Sequence, residues 1–512
     1  MQSNSITKRY FFKLTTSILL VPLNLLIISI ISRSLGPNLF GQYRYLIYFF
    51  TLLSSFIGFG GNFLNSELAK NHYDKILISF YQLFMLLLWL VVAIVLILVV
   101  WLNGIEYIFP EVKNNLFIWL GFLLAFVTFF SQMYESMTDA CGLTKKASLF
   151  TFLSKLIGLI LLIIFVFFFK LVNLYSILFI SIIPILISAF ALRRVLISNN
   201  INLNDCLITW VVFKHKFKEF FKYSHPLLTV SIVLFSFGFF TRWGLQFFGG
   251  SVEQGYFSFS DSFSGFVIIF ANSIIPLLQR EFSISHNSKD LKKMKFLFEN
   301  SLLLFIAFAS FFSIFLVFNA RIFTSIIGGH SFDGSVICTQ IMLLYPIPYV
   351  GNNILNATCY ATNKTKLLRN VQIFIVLLNS IITFLLIAPE KYWGFNLGAI
   401  GFAMSLVAVT YLNHIILLVY CSKMFELNWI DLILKYLRII GAFLIIGLLC
   451  FFLDKLLTFN PLYTLILNGL LYFFISVLLL FYLPSLVGFT RLNINEYIEV
   501  VKTKWRNISN TN

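Results

Sequence analysis

Charged residues are scarce in this chain. They make up 11% of 512 residues, whereas 59% are hydrophobic and the mean hydropathy is +0.92. A soluble protein of this composition would leave a large apolar area in water. Apolar windows of about 20 residues, enough to cross a bilayer, recur along the whole chain. The composition therefore predicts an integral membrane protein without a large soluble domain.

Several chemical motifs are also absent. The six cysteines show no CxxC spacing and no histidine at a metal-ligand interval, which argues against a zinc site and a disulfide framework. The chain has no Gly-x4-Gly-Lys-Ser/Thr phosphate loop. No Ser-His-Asp arrangement or carboxylate pair occurs in a large outer loop. We therefore predict no cofactor, no metal and no enzymatic activity. The cysteines are Cys141, Cys206, Cys338, Cys359, Cys421 and Cys450.

The apolar runs predict an all-α fold of about fourteen transmembrane helices. The first run follows basic residues but has no convincing cleavage site, which favours an uncleaved first span. The predicted spans are roughly 11–32, 43–66, 76–102, 115–138, 147–169, 172–192, 225–248, 256–279, 297–319, 335–360, 368–388, 397–421, 435–453 and 462–486.

Basic residues outnumber acidic ones, 37 to 20. A net charge of +17 can indicate nucleic-acid binding, but here the basic residues separate apolar spans and form no basic domain. Most of them fall in alternate loops, as expected of the cytoplasmic side of a membrane protein. We therefore predict an even number of spans, both termini in the cytoplasm and no nucleic-acid partner.

One turn pattern occurs twice. Gly36-x4-Gly41 returns as Gly250-x4-Gly255, each time between two apolar runs and followed closely by a tyrosine. Such a repeat predicts two similar six-helix lobes, related by a pseudo-two-fold axis, around a site between them. The predicted segments are residues 1–192 for the first lobe, 193–223 for an amphipathic linker on the inner membrane surface, 224–421 for the second lobe, and 422–512 for two further helices and a cytoplasmic tail.

Charged side chains within spans are the first candidates for a transport site, because they need a partner, a wet cavity or an escape to the interface. Arg242 and Asp261 lie at similar predicted depths on adjacent antiparallel helices. They either line the cavity, where Arg242 engages a phosphate, or form a pair that only holds two helices together. An outward-snorkelling arginine is a third possibility.

Further polar residues are candidates for the same cavity. Arg33 and Arg44 flank the first turn, and a guanidinium group suits an anionic head group. Interface anchoring is the alternative, more so for Arg44. Asn352 and Asn356 lie one turn apart in the tenth span, where interhelical hydrogen bonds explain most asparagines.

Three residues are candidates for ion coupling. Glu135 and Asp139 lie near the inner ends of spans four and five, where pairing with Lys155 is favoured over a proton or cation site. His414 in span twelve is either a proton carrier or a core histidine bonded to a neighbour.

Four segments together resemble the Wzx-type polysaccharide biosynthesis flippases of the multidrug/oligosaccharidyl-lipid/polysaccharide exporter superfamily. The resemblance covers nearly the whole chain. It implies two six-helix lobes around a central cavity, plus two C-terminal helices. The segments are SRSLGPNLFGQY at the first turn, GGSVEQGYFSFSDSF at the eighth span, FTSIIGGHSFDGS after the ninth and GFNLGAIGFAMS at the twelfth.

The implied activity is movement of an undecaprenyl-diphosphate-linked oligosaccharide, such as an O-antigen or capsule repeat unit, from the inner to the outer leaflet of a bacterial inner membrane. Membrane lipids, a glycan polymerase and a chain-length regulator are the implied partners. Arg33 matches the arginine of the Ser-Arg-x-Leu-Gly motif of the related lipid II flippases. Many relatives have Asp where Arg242 stands, so the resemblance gives Arg242 no role.

Two other functions stay open. A drug/cation antiporter of the same superfamily should have an acidic, aromatic cavity, whereas arginines stand among the few charges within the spans here. A membrane glycan polymerase or ligase should have a sizeable outer loop with catalytic residues, and every predicted outer loop is short. The flippase is therefore the favoured interpretation.

Overall fold

A computed structural model describes residues 6–58, 61, 64, 75–112, 114–170, 173–199, 209–456 and 461–487. These residues form helices and no strand. The α-helices are α1 (Ile6–Ile57), α2 (Lys75–Trp101), α3 (Ile105–Ile108), α4 (Asn115–Ala140), α5 (Thr144–Ile163), α6 (Leu174–Ser198), α7 (Trp210–Gly244), α8 (Gly250–Asn287), α9 (Leu291–Phe318), α10 (Ala320–Gly328), α11 (Val336–Met342), α12 (Pro346–Ala361), α13 (Thr365–Ile387), α14 (Gly398–Met424), α15 (Trp429–Leu456) and α16 (Pro461–Tyr482).

Short helical turns of other kinds join these helices. Two are π-helical turns, Ile164–Phe168 after α5 and Leu245–Gly249 between α7 and α8. The remaining three are 3-10 turns, at His330–Ser335, Glu390–Tyr392 and Pro484–Val487.

Ten helices among the described residues are long and apolar enough to cross a membrane. The number is up to eleven if the bent pair His330–Met342 and Pro346–Ala361 forms one span. α1 counts once although it covers two predicted spans, and neither α7 nor α8 enters the count. The all-α membrane fold is confirmed. The total of fourteen spans stays a prediction.

The two predicted turns have the same backbone geometry. Gly36 has φ 69° and ψ 172°, and Gly250 has φ 76° and ψ −179°. A side chain is strained at such φ values, so glycine is the residue that makes this bend without cost. Each glycine ends one helical segment and starts the next. The repeat seen in the sequence is thus a repeated bend in the structure.

The helices that leave the two turns pack closely at a second pair of glycines. A Cβ at Gly41 would collide with the carbonyl oxygen of Ser251, and a Cβ at Gly255 would collide with the carbonyl oxygen of Pro37. Each contact joins the fifth residue after one turn glycine to the first residue after the other. The packing is therefore reciprocal, as a local two-fold axis requires.

The chain divides into two compact units. The first comprises Met1–Phe259, Thr324–Cys338 and Gln372–Ser405, and the second comprises Ser260–Phe323, Thr339–Val371 and Leu406–Asn512. The division into lobes at 1–192 and 224–421 remains a prediction.

In the first unit, aromatic rings hold α7 against α2. Phe213 packs on Phe80 with ring centroids 5.1 Å apart, and Phe217 packs on Phe84 at 5.6 Å. Phe213 and Phe217 belong to the predicted linker, whose residues from Trp210 onward form the beginning of α7. No helix boundary separates them from the seventh span. Residues 200–208 of the linker, with Cys206, lie outside the described residues.

In the second unit, buried side chains of α9, α12, α14, α15 and α16 form one apolar core. Polar contacts fix the two C-terminal helices to it. The Tyr472 hydroxyl donates to the Phe311 carbonyl oxygen at 2.9 Å, and Lys435 forms a salt bridge with Glu299. The predicted tail beyond residue 487 lies outside the described residues.

Candidate functional site

Arg242 lies inside an aromatic box of the first unit. Its guanidinium carbon is 4.2 Å from the ring centroid of Phe257, 4.4 Å from Tyr48 and 5.3 Å from Phe402. The side chain is 8% exposed, and Nη1 donates to the Ser258 hydroxyl at 3.5 Å. Cation–π contacts of this kind are each worth about 0.5–2 kcal/mol, the upper end applying to desolvated groups. The surroundings of Arg242 therefore stabilise its charge without leaving much surface for a ligand.

Arg33 binds the carboxyl end of α10. Its Nε donates to the Ile327 carbonyl oxygen at 3.2 Å, and its Nη2 donates to those of Ser325, at 3.2 Å, and Ile326. The Ser29 hydroxyl also donates to the Ile327 oxygen. The last carbonyl groups of a helix lack partners within it and carry partial negative charge, so a cation there is stabilising. Two of the guanidinium nitrogens of Arg33 thus serve helix capping, although the side chain is exposed.

Arg44 and Lys155 bring two positive charges together in the first unit. Arg44 on α1 lies near enough to Lys155 on α5 for the two charges to act on each other. The Lys155 side chain is exposed although neighbouring protein desolvates its ammonium group. That combination is typical of a residue lining an internal space. No acidic side chain within the described residues forms a salt bridge with Lys155.

The sequence predicts that Lys155 pairs locally with Glu135 and Asp139. Local pairing near Glu135 and Asp139 is expected from their positions at neighbouring helix ends. In the structure Asp139 forms a salt bridge with Lys13 at 2.9 Å, and Glu135 lies near Thr151 and near the same two charges. Asp139 thus has Lys13 as its partner, and local pairing of Glu135 and Lys155 stays a prediction. Their role in ion coupling remains a prediction.

Asp261 belongs to the second unit, whereas Arg242 belongs to the first. Within its own unit, Asp261 lies near enough to Tyr345 for its charge to act on the phenol group. The pairing of Arg242 with Asp261 stays a prediction.

Asn352 and His414 form a buried pair in the second unit. The Asn352 amide nitrogen donates to the Thr410 carbonyl oxygen at 3.3 Å, which turns the amide oxygen toward Nδ1 of His414, 3.2 Å away. Nδ1 must then carry the imidazole proton. Nε2 is buried and has no hydrogen-bond partner among the described residues. The structure thus pairs His414 with a neighbour and leaves one ring nitrogen able to accept a proton.

Asn356 also has a buried amide oxygen with no hydrogen-bond partner among the described residues. The structure gives Asn352 a partner in α14 and gives Asn356 none through this atom, although the two residues lie one turn apart in α12. The role of Asn356 in lining the cavity stays a prediction.

The described residues contain no group of three or more His, Cys, Asp or Glu side chains that could hold a metal ion. Among the candidate residues, the structure brings together the basic pair Arg44 and Lys155, the carboxylates near Lys13, and the histidine–asparagine pair. The first of these suits an anion.

The model of the polysaccharide biosynthesis protein family matches residues 7–280, which is more than half of the chain. The chain belongs to this family. The resemblance stated from the four sequence segments is confirmed.

Solved structures match over most of the chain. The lipid II flippase MurJ in an inward closed conformation has 16% identity and a TM-score of 0.67, covering 92% of this chain and 99% of its own. An inward-facing multidrug resistance MATE family transporter of the MOP superfamily has 13% identity and a TM-score of 0.63, with coverages of 81% and 98%. A MOP superfamily transporter from Pyrococcus furiosus has 13% identity and a TM-score of 0.55, with coverages of 82% and 96%.

At identities this low, the matches establish the fold. The chain is a multi-pass membrane protein with the fold of MurJ and the MATE transporters. No curated protein matches its sequence.

Proposed function

We propose that this protein is a flippase that moves a lipid-linked oligosaccharide, carried on a diphosphate, across the membrane by alternating access. The cargo we infer is an undecaprenyl-diphosphate-linked repeat unit of an O-antigen or capsule. Movement runs from the inner to the outer leaflet of a bacterial inner membrane, with both termini in the cytoplasm. A glycan polymerase and a chain-length regulator would act on the product.

The observation that carries this proposal is the basic pair. A diphosphate in the membrane needs positive partners and water, because an isolated anion is costly in hydrocarbon. Lys155 offers an exposed ammonium group beside a second positive charge. Arg33 and Arg242 donate mainly to the protein itself. We therefore assign the first contact with the diphosphate to Lys155 and Arg44, and we assign Arg33 and Arg242 to holding helices in place.

A drug/cation antiporter is the second candidate, because MATE structures share the fold. Two neighbouring cations disfavour a cationic cargo through like-charge repulsion. The carboxylates Glu135 and Asp139 are the residues on which such a function would depend.

The experiment uses purified protein in liposomes that contain a fluorescent undecaprenyl-diphosphate oligosaccharide. Flipping is measured as the fraction of the glycan that a membrane-impermeant glycosidase reaches. We expect Lys155→Ala and Lys155→Glu to slow flipping about tenfold or more, since a hydrogen bond to a charged group is worth about 1.5–3 kcal/mol. Arg44→Ala should act in the same direction.

Lys146→Ala is the matched control, since Lys146 is an exposed lysine at the start of the same helix. It should flip the probe at the wild-type rate. Unchanged flipping by both Lys155 variants would exclude the assigned site. Dye efflux that depends on Glu135, without movement of the probe lipid, would favour the antiporter.

A further inference from the structure

Residues Ile105–Val112, between α2 and α4, form a short strap on the predicted outer side. Phe109 anchors it to α1: the ring is 1% exposed and lies 4.8 Å from the ring of Phe49 and 6.1 Å from that of Tyr45, centroid to centroid. The Tyr45 hydroxyl also donates to the Ile108 carbonyl oxygen at 2.7 Å. Because Phe109 buries a large apolar surface, the strap is firmly attached to the predicted first lobe.

The same strap accepts hydrogen bonds from the second turn. Trp243 Nε1 donates to the Tyr107 carbonyl oxygen at 2.6 Å, and Gln246 Nε2 donates to that of Pro110 at 3.3 Å. The backbone N–H of Ser251 donates to the Glu111 carboxylate at 2.9 Å. All three donors belong to the predicted second lobe. The five positions from Tyr107 to Glu111 thus bind both predicted lobes: Ile108 and Phe109 contact α1, and Tyr107, Pro110 and Glu111 accept hydrogen bonds from the second turn.

Glu111 has an unusual backbone for the contact that it makes. Its φ is 67°, a left-handed value that is strained for a residue with a side chain. The carboxylate meets the first turn of α8, where backbone N–H groups lack partners and attract negative charge. The side chain is exposed to solvent. The strained backbone is therefore held by contacts on either side of it, and the cap joins an exposed carboxylate to the N–H of Ser251, which is 1% exposed.

We propose that the strap Ile105–Val112 is a latch that holds the predicted outer ends of the two lobes together and releases the second lobe in each transport cycle. The inference rests on the proposed alternating access. The Trp243–Tyr107 hydrogen bond is exposed and the other two are partly buried, and hydrogen bonds of this kind break more readily than a buried ring leaves its core. On opening, the strap should stay with α1 and separate from Trp243, Gln246 and Ser251.

The first experiment locks the latch. In a transport-active background without native cysteines, the pair Glu111→Cys and Ser251→Cys is joined by a short bis-methanethiosulfonate reagent. We expect cross-linking to stop flipping of the fluorescent probe lipid and a reductant to restore it. The control pair is Glu253→Cys with Leu397→Cys, which joins two helix ends within the predicted second lobe, where the Glu253 carboxylate accepts from the Ala399 N–H. Cross-linking of the control pair should leave flipping intact.

The second experiment needs no cargo. A reporter cysteine replaces Ser258, which is 2% exposed, and its labelling by a membrane-impermeant maleimide is timed. We expect Glu111→Ala and Trp243→Phe to speed labelling about fivefold, the factor that corresponds to roughly 1 kcal/mol. Glu106→Ala removes another exposed carboxylate of the strap and should have no effect. Glu111→Gln keeps an acceptor oxygen and should restore most of the protection.

The two readouts separate the latch from the proposed function. Normal flipping by the cross-linked 111–251 pair would overturn the latch, and so would equal labelling of the Glu111→Ala and Glu106→Ala variants. If the wild-type protein does not move the probe lipid but labelling responds as expected, the latch stands and the cargo assignment fails.

Discussion

The two glycine turns share a backbone bend but differ in the residue that follows it. After Gly36 comes Pro37, which has no backbone N–H and suits the first position of a helix. After Gly250 comes Ser251, whose N–H needs an acceptor and finds the Glu111 carboxylate. One residue thus decides whether the start of the helix needs a partner from elsewhere in the chain.

The residues before the turns differ as well. Arg33 precedes the first turn by three positions and binds the end of α10. Phe247 precedes the second turn by three positions, is 52% exposed and stacks on Trp243 with ring centroids 4.8 Å apart. The first turn is therefore tied by the Arg33 side chain before it, whereas the second is tied by the Trp243 and Gln246 side chains before it and by the Ser251 N–H after it. Two turns with the same backbone bend are therefore held to the rest of the protein by different contacts.

The largest effect is expected where the two repeats touch each other. Gly41→Ala and Gly255→Ala each place a methyl group against a carbonyl oxygen of the other repeat, and overpacking of this kind costs about 1–3 kcal/mol or more. Flipping should be lost, and the melting temperature in detergent should fall. Gly265→Ala is the control, because a Cβ there meets open space on the same helix. Equal melting temperatures for Gly255→Ala and Gly265→Ala would contradict the reciprocal packing.

Removal of the first tether should have the next largest effect. Arg33→Ala leaves the α10 carbonyl groups without their cation, at a cost of about 1–2 kcal/mol for an exposed site with several hydrogen bonds. We expect the melting temperature to fall by a few degrees. Arg321→Ala removes an exposed arginine near the start of α10 and should leave the temperature unchanged. A fall of similar size in both variants would argue against the capping role.

A double-mutant cycle tests the second tether. Ser251→Pro makes the second turn resemble the first and removes the N–H that donates to the Glu111 carboxylate. Gly250 already has the extended ψ that a residue before proline requires. Glu111→Ala should cost about 1 kcal/mol in the wild type and close to zero in the Ser251→Pro background. Chemical unfolding of the wild type, the two single variants and the double variant measures the coupling free energy between positions 111 and 251. Additive costs would contradict a hydrogen bond between them.

The smallest effect is expected for the reverse exchange. Pro37→Ser adds an N–H at the first turn and loosens the unfolded chain, which together cost about 0.5–1 kcal/mol. The same unfolding measurement applies. Because the strap accepts from the second turn, Glu111→Ala should cost the same in the wild type and in the Pro37→Ser background. Strong coupling between positions 37 and 111 would mean that the strap also serves the first turn.

Much of the fold follows from local patterns. Long apolar runs have few structural solutions in a bilayer other than helices, because every backbone polar group must be paired internally. The positions of Gly36 and Gly250 mark the bends, since glycine adopts these φ values without strain. The start of α7 is harder to predict: the phenylalanines from Trp210 onward suit a surface helix as well as a helix packed on α2.

The site depends on contacts that local patterns do not contain. Arg33 binds carbonyl oxygens about 290 positions away, and any residue type can supply a backbone carbonyl. The approach of Lys155 to Arg44 depends on how α5 packs on α1. From the sequence, the strap is only a short outer loop. Three of its four hydrogen-bond acceptors are backbone carbonyl groups, which no side-chain motif can mark. The sequence shows which candidate residues are charged, whereas the partner of each charge is known only from the fold.

The contact between α12 and α14 has a consequence for the history of this chain. A Cβ at Gly351 would collide with the imidazole ring of His414, so the ring occupies the space that the glycine leaves open. Neither residue can be exchanged for a larger one while the other stays. Among descendants of this gene we expect the two positions to be inherited as a matched set, with a bulkier residue at 351 accompanied by a smaller one at 414.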